Sequence, residues 1–364
     1  MSLLKNLFEN IYRMKTQKQW AVCVWLFVAA LMTSLSSCKK QSDSPSIPTD
    51  QNKRVWIINE GNFQFGNASI DIYLPDSQTV FKNIYKTVNQ KNLGDVAQSG
   101  VLSGKKLFVV VNNSSKISVL NTADYREIQS ISLPQSSPRY LQFVHDNKAF
   151  VTELYAKKIW IINPNSGNLI DTITTEGWTE QMALVGNEIF IAQRTRLNDV
   201  YVANVLVVDA RANKILKKIL LPSEPNSLVE LNNFIWVLCS ATTTQPARLV
   251  KIDPRTKNIE KTIDFPVGRR PMLLRANPAT QELFWVSDGV YKLKETENNI
   301  PSTPLVPGNG RNIYALDVNS DNGEIYIADA IDYVQSSSIF RYDRSGKLVH
   351  TFKAGIITNS FIFE

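Results

Sequence analysis

Residues 94–134 read GDVAQSGVLSGKKLFVVVNNSSKISVLNTADYREIQSISLP. Four apolar-rich runs are set apart by three turn signals. Val96–Leu102 is turned by Ser103-Gly104-Lys105, and Leu107–Val111 ends at Asn112-Asn113-Ser114-Ser115. Ile117–Leu120 is followed by Asn121-Thr122-Ala123-Asp124, and Ile128–Leu133 stops at Pro134. Short runs rich in Val and Ile, bounded by Gly, Asn, Asp and Pro, are strands of an antiparallel meander. Such a sheet cannot bury both of its faces alone. It needs neighbours of its own kind.

The remaining sequence supplies them. An apolar pair followed by Asn or Asp closes the third run at Val119-Leu120-Asn121. The same signature returns at Ile161-Ile162-Asn163-Pro164, Val207-Val208-Asp209 and Lys251-Ile252-Asp253-Pro254, in steps of 42, 46 and 44 residues. Two further steps, 90 residues on, reach Tyr342-Asp343. The fourth run closes with Leu-Pro or Phe-Pro at Leu133-Pro134, Leu221-Pro222 and Phe265-Pro266. Four strands per unit at this period predict a β-propeller.

Six units fall at about 91–134, 135–177, 178–222, 223–266, 267–308 and 309–355. Residues 54–90 hold three more runs, Val55–Asn59, Ser69–Leu74 and Thr79–Ile84, and Ile356–Phe363 holds one. Three and one make a seventh blade, closed by the C-terminal strand lying beside the N-terminal ones. Closure of this kind removes a sheet edge and ties down both ends of the ring. A many-stranded sandwich would not require the repeat.

Ahead of the propeller, Trp20–Met32 is apolar throughout but only 13 residues long, too short to span a bilayer and suited to a signal-peptide core. Lys15 and Lys18 precede it, and a start at Met14 rather than Met1 gives a conventional signal of 24 residues before Cys38. The segment ends Leu35-Ser36-Ser37-Cys38, a pattern similar to the bacterial lipobox. Residues 1–37 therefore read as a lipoprotein signal, Cys38 as the lipidated residue, 38–53 as a flexible tether rich in Ser, Pro and Asp, and 54–364 as the propeller. With Cys23 in the signal and Cys38 acylated, only Cys239 is left, in the strand-like run Phe234–Cys239, as a small buried hydrophobe. The signal carries four Lys/Arg and one Glu, so the formal +7 of the chain leaves +4 for residues 38–364. No basic run interleaved with aromatics marks a nucleic-acid site.

In a four-stranded blade the 2–3 loop and the 4–1 connection share one face, and the 1–2 and 3–4 turns share the other. The second face holds plain turns, such as Ser103-Gly104-Lys105, Val185-Gly186-Asn187 and Asp253-Pro254-Arg255. The first face is richer. Its loops are Glu60–Ala68, Leu154–Lys157, Gln193–Val200, Ser240–Ala247 and Asp329–Ser338. Its 4–1 connections carry Gly94-Asp95, Ser137-Pro138-Arg139-Tyr140, Trp178-Thr179-Glu180-Gln181, Glu224-Pro225-Asn226-Ser227, Arg269-Arg270-Pro271 and Gly310-Arg311-Asn312-Ile313-Tyr314. Candidate ligand-binding residues on this funnel are Asn62, Phe63, Phe65, Asp95, Gln98, Arg139, Tyr140, Tyr155, Trp178, Glu180, Gln181, Asn226, Arg270, Arg311, Asn312, Asp332 and Tyr333. Apolar walls with a few placed polar groups suit a small-molecule site. For any one of these residues the alternative is packing between blades, or pairing of an arginine with Asp95, Glu180 or Glu224.

Catalysis has little to stand on. The chain has two His: His145 beside a 1–2 turn and His350 in a fourth run, neither reaching the funnel. Asp95 and Glu180 could form a carboxylate pair, but their spacing does not require one. Asp317-Val318-Asn319-Ser320-Asp321-Asn322-Gly323 is similar to a calcium loop, yet its Gly is one place late and Ala328 stands where a Glu ligand belongs. It reads as a turn, with no metal and no resident cofactor.

The lipobox, together with Asn59-Glu60-Gly61-Asn62-Phe63, Gly94-Asp95-Val96-Ala97-Gln98-Ser99, Ser137-Pro138-Arg139-Tyr140, Trp178-Thr179-Glu180-Gln181-Met182, Glu224-Pro225-Asn226-Ser227 and Ala328-Asp329-Ala330-Ile331-Asp332-Tyr333-Val334-Gln335, resembles the YncE-like propeller lipoproteins of DUF5074 type. The resemblance covers the whole of residues 38–364 and is greatest to the BtuG type, surface propellers that capture cobalamin. It implies a corrinoid ligand, no enzymatic activity, and a partner in a TonB-dependent, BtuB-like outer-membrane transporter. It also implies a lipid-anchored place on the outer membrane, at the cell surface. Surface-exported members often carry acidic residues soon after the lipidated Cys, whereas Lys39-Lys40-Gln41-Ser42-Asp43 has a single acid, so surface and periplasmic exposure both stay open. A reading from another class is a surface scaffold that binds a protein or glycan; a propeller lyase or hydrolase is disfavoured by the histidines.

Overall fold

A computed structural model describes residues 53–195 and 202–364. The signal segment, Cys38, the tether up to 52 and residues 196–201 of the Gln193–Val200 loop lie outside the described residues. The described chain forms seven four-stranded antiparallel sheets, and every one is a blade. Blade 1 combines Thr358–Phe363 with Val55–Asn59, Ser69–Leu74 and Thr79–Phe81, in that order outward from the axis. Blades 2 to 7 follow in sequence, with innermost strands Ala97–Ser103, Pro138–His145, Trp178–Val185, Pro225–Leu231, Met272–Asn277 and Ile313–Val318. Each innermost strand touches the next, and Thr358–Phe363 touches both Ile313–Val318 and Ala97–Ser103, so the ring is closed.

Burial explains why the strands read as they do. Second and third strands are covered on both faces by adjacent blades, so they are unbroken apolar runs rather than alternating ones: Lys106–Val111, KLFVVV, is buried from Leu107 onward. Between blades 2 and 3, Phe108, Val110, Ile117 and Val119 pack on Leu141, Ala149, Val151 and Trp160. Each such side chain contributes about 1.5–3 kcal/mol by leaving water. Fourth strands lie at the rim and keep one buried anchor apiece, Ile131, Ile173, Ile219 or Ile263, in otherwise exposed strands. In blade 6 the fourth strand shrinks to Val306–Pro307, and Ile300 from the preceding loop packs against the core of blades 5 and 6.

Ring closure is a paired ladder from Val55↔Phe363 to Asn59↔Thr358. Asn59, fully buried, ties it down. Its amide donates to Asp71 at 3.1 Å and Ser69 at 3.2 Å, and its carbonyl accepts from the Thr358 hydroxyl at 2.6 Å.

One expectation needs correcting. The run Thr79–Ile84 is a strand only over Thr79–Phe81. The backbone of Asn83 turns left-handed (φ 50°), its N–H donates to Asp71 at 2.7 Å, and a helix, Ile84–Asn89, follows. Ile84 and Tyr85 are buried and Val88 half-buried, which is a helical spacing hidden in a short segment.

Candidate functional site

The innermost strands share a defect. In all seven, the inner strand carries one more residue than the second strand near the top, so one or two of its residues fall outside the pairing. The skipped positions are Gln98 in blade 2, Arg139-Tyr140 in blade 3, Glu180-Gln181 in blade 4, Asn226 in blade 5, Leu273-Leu274 in blade 6, Tyr314 in blade 7 and Asn359 in blade 1. A β-bulge places an extra residue outside the ladder and re-aims its side chain. Seven bulges at one level make a collar around the axis. Neighbouring bulges are stitched together. The Ser99 hydroxyl donates to the Arg139 carbonyl at 2.7 Å, and Ser227 and Asn226 side chains accept from the Leu274 and Leu273 N–H groups at 2.9 and 3.3 Å.

The collar surrounds a cavity of about 540 Å³. Of the bulge residues, Gln98, Arg139, Tyr140, Gln181, Leu273, Tyr314 and Asn359 line it, with Glu60, Phe63, Tyr155, Met272, Arg275, Asn312 and Tyr333. Its polar groups bind one another across blades. Arg139 donates to Glu180 at 2.9 Å through Nε and to Gln98 through Nη1. The Gln181 amide donates to the Tyr140 hydroxyl at 2.9 Å. Arg275 pairs with Asp317, whose other oxygen accepts the Phe361 N–H at 2.8 Å. Glu60 accepts from the Tyr314 hydroxyl at 3.1 Å and from the Asn359 amide.

Depth in the molecule governs the protonation of these groups. Burial pushes the Glu60 carboxyl above the usual carboxylate range, against the pull of Asn359 and Tyr314. Asp317 is also raised by burial, with Arg275 opposing. Burial raises the Tyr140 and Tyr314 hydroxyls, so both stay protonated at neutral pH. Burial alone would lower the Arg139 guanidinium; Glu180 more than offsets this and holds it charged.

Above the collar stands an aromatic rim. Tyr333 meets Tyr314 edge-on at 5.7 Å, and Tyr155 meets Trp178 edge-on at 5.8 Å. Phe63, Phe65, Tyr155 and Val334 are 61, 76, 54 and 67% exposed, a concentration of uncovered apolar surface on one face. Tyr333 sits in left-handed backbone (φ 64°), held by its hydroxyl to Asn312 at 3.2 Å and by Asn62 donating to its carbonyl at 2.6 Å. The Glu153 carboxylate accepts from the Ser137, Tyr155 and Ala156 N–H groups and so fixes the loop that presents Tyr155.

The candidates from sequence divide accordingly. Phe63, Gln98, Arg139, Tyr140, Tyr155, Gln181, Asn312 and Tyr333 lie on the cavity wall, and Glu180 stands behind Arg139. Asn62 and Phe65 belong to the rim, Trp178 backs Tyr155, and Asn226 supports Leu273. Four serve elsewhere. Asp95 is buried and accepts from the Gln64 N–H at 2.8 Å and from Asn113, holding the loop that bears Phe63. Asp332 caps its own turn; the Gln335 amide and the Gln335 and Val334 N–H groups draw its carboxyl down to about 2. Arg311 lies over Phe340 at 4.0 Å, and Arg270 is exposed outside the cavity lining. Asp95 and Glu180 have separate partners and do not form a pair. Of the stretch similar to a calcium loop, Asp317 lies in the innermost strand Ile313–Val318 and pairs with Arg275, and the residues after Asn319 form the expected turn.

Glu60, Met272, Leu273, Arg275 and Asn359 line the cavity without being among the sequence-based candidates. For Asn359 a signal exists. Gln98-Ser99, Asn226-Ser227 and Asn359-Ser360 are the same amide–serine step at the same bulge in three blades. Both histidines lie off the site. His145 is exposed, and His350 stacks on Tyr73 at 5.7 Å. Cys239 is fully buried, which pushes its thiol up to about 12. A second depression, of about 340 Å³, lies on the opposite face by Lys105, Lys106, Phe143 and Asn165. No helix among the described residues is long and apolar enough to cross a membrane.

A family profile described as a domain of unknown function, DUF5074, matches residues 53–356. No curated protein matches. Among solved structures, a quinoprotein alcohol dehydrogenase-like protein from Bacteroides thetaiotaomicron is similar at 17% identity and TM-score 0.63, over 84% of this chain and 77% of that one. The dihydro-heme d1 dehydrogenase NirN is similar at 11% identity and TM-score 0.57, over 87% and 77%. Virginiamycin B lyase from Staphylococcus aureus is similar at 16% identity and TM-score 0.55, over 70% and 82%. At such identities the likeness concerns the fold alone.

Proposed function

Since this chain belongs to the DUF5074 family, whose description assigns no activity, we propose that it is a non-catalytic binding protein whose funnel takes cobalamin or a related corrinoid. The observation that carries the reading is the bulge collar, an open bowl fringed by Gln98, Gln181, Asn359 and Arg139 and walled by Tyr140, Tyr314 and Leu273. A corrinoid is broad, apolar across its ring and fringed with amides, so it matches both features. Neither histidine reaches the bowl, and the carboxylates behind its wall, Glu180 and Asp317, are engaged by arginines. In this proposal Cys38 carries the lipid anchor and the protein hands its ligand to a TonB-dependent outer-membrane transporter. The exposed rim of Phe63, Phe65 and Val334 favours a second reading, a surface scaffold for a protein partner.

The test is binding of cyanocobalamin, seen as a co-eluting visible chromophore and measured by calorimetry. Truncating aromatic anchors costs about 2 kcal/mol each, so Tyr155→Ala with Tyr333→Ala weakens binding roughly a hundredfold or more. Lys105→Ala with Arg255→Ala, on the opposite face, leaves it unchanged. A wild type that binds no corrinoid sinks the reading in favour of the scaffold, and equal loss in both double variants puts the site elsewhere.

A further inference from the structure

The charges of the bowl are unevenly matched. Arg139 is engaged by Glu180 and Arg275 by Asp317. Glu60, on the wall of the same cavity, has only neutral hydrogen-bond partners, Tyr314 and Asn359; the charge of Arg139 reaches it through space, but that guanidinium is already bonded to Glu180. A carboxylate that deep without a bonded countercharge is costly, and burial pushes its protonation upward despite Asn359, Tyr314 and the distant Arg139 charge. Three blades away, the Gln181 amide gives its N–H to Tyr140, and its buried oxygen has no partner among the described residues. Natural structures rarely leave such an acceptor unmatched. Aromatic faces at Tyr314, Tyr155 and Phe63 surround the same space and favour cationic or N–H-bearing groups.

We propose that the bowl selects a ligand with N–H donors on two edges, an ammonium, amidine or primary amide at Glu60 and a second donor at Gln181, and rejects carboxylates at Glu60. This rests on the funnel being a ligand site and adds the polarity that the ligand must have. A donor at Glu60 supplies the missing partner; a carboxylate there would share a site of low dielectric with a second carboxyl, and one of the two would have to hold a proton.

Matched probes test it on the full chain at neutral pH: benzamidine and benzamide against benzoate, by titration followed in NMR spectra. Glu60→Gln is included, because a glutamine can still accept from Asn359 and donate to Tyr314. Charge-assisted bonds are about twice as strong as neutral ones, so benzamidine is expected to bind the wild type roughly tenfold or more tightly than benzoate and to lose about tenfold in Glu60→Gln. Benzoate binding as tightly as benzamidine, benzamidine indifferent to Glu60→Gln, or no amidine or amide binding at all overturns the proposal. A cobalamin arm separates it from the corrinoid reading. A protein that takes benzamidine at Glu60 but no cyanocobalamin keeps this inference and loses that reading. One that binds cyanocobalamin and its fully hydrolysed carboxylate form equally well keeps that reading and loses this inference.

Discussion

At Glu60 the proposed ligand site and the stability of the fold meet in a single buried carboxyl. Its unfolded reference is 4.5 and burial raises it in the folded chain. The folded state therefore holds this proton more firmly, and unfolding releases it at pH values between the two. Stability is greatest below 4.5 on this account and falls as pH rises through the folded value. Glu60→Gln has no such proton. The stability advantage of Glu60→Gln over wild type is thus expected to grow by about 1.4 kcal/mol per pH unit across that window, then level off. Urea unfolding of both proteins from acidic to neutral pH measures it. A difference that does not change with pH would mean that Glu60 titrates normally. Weaker donor binding together with higher neutral-pH stability is the signature of a residue kept for its ligand.

At the scale of strands and loops, the bulges exact local strain. Val96, Leu273 and Ile357, at the tops of three innermost strands, hold left-handed backbone at φ 58, 59 and 53°. That conformation costs a non-glycine residue about 1–2 kcal/mol, and more for a branched one. Glycine returns part of this through chain entropy, so Val96→Gly is expected to raise the unfolding free energy by up to about 1 kcal/mol while widening the cavity wall. Denaturant titration checks the sign; a clear loss of stability would mean that packing of the Val96 side chain outweighs its backbone. The strands themselves were legible because burial on both faces leaves them unbroken and turn residues punctuate them: Leu107–Val111 and Ile117–Leu120 fall inside the observed strands. The helix Ile84–Asn89 was not, since six residues carry too little period to compete with a β-rich setting. The funnel side was readable from connection order, which brought Gln98, Arg139, Tyr140 and Gln181 to one wall. The bulges were not readable one at a time. A bulge depends on which partner residue is skipped, and a single strand does not contain that information. Asn359 escaped the sequence reading for this reason, whereas Glu60 lies in a loop already placed on the funnel face; its use, like that of Asp332 and Arg311, depends on which way a side chain turns, which loop position does not reveal.

For the whole ring, closure rests on contacts between residues about 300 apart in sequence: Asn59 with Thr358, and the Trp56 indole N–H donating to the Glu364 carboxylate at 2.8 Å. Removing residues 356–364 strips the inner partner from Val55–Asn59 and uncovers the core cluster that Phe361 joins. Unpaired edges and lost burial together are expected to lower the melting temperature by more than about 10 °C and to broaden the transition. An unchanged melting curve would show that the ring holds without its closing strand. Because the closing pair is so distant in sequence, forming it carries the largest loop-closure cost of the ring's strand pairings.

The collar separates inheritance from use. A residue that occupies no rung of the ladder can be exchanged without disturbing any strand pairing, so each of the seven bulges is a socket whose occupant can change while the frame stays in place. Blades 2, 5 and 1 carry an amide there, blade 6 a leucine, blade 7 a phenol. A designer can therefore rewrite the lining of the bowl at these seven sockets while leaving every strand as it stands.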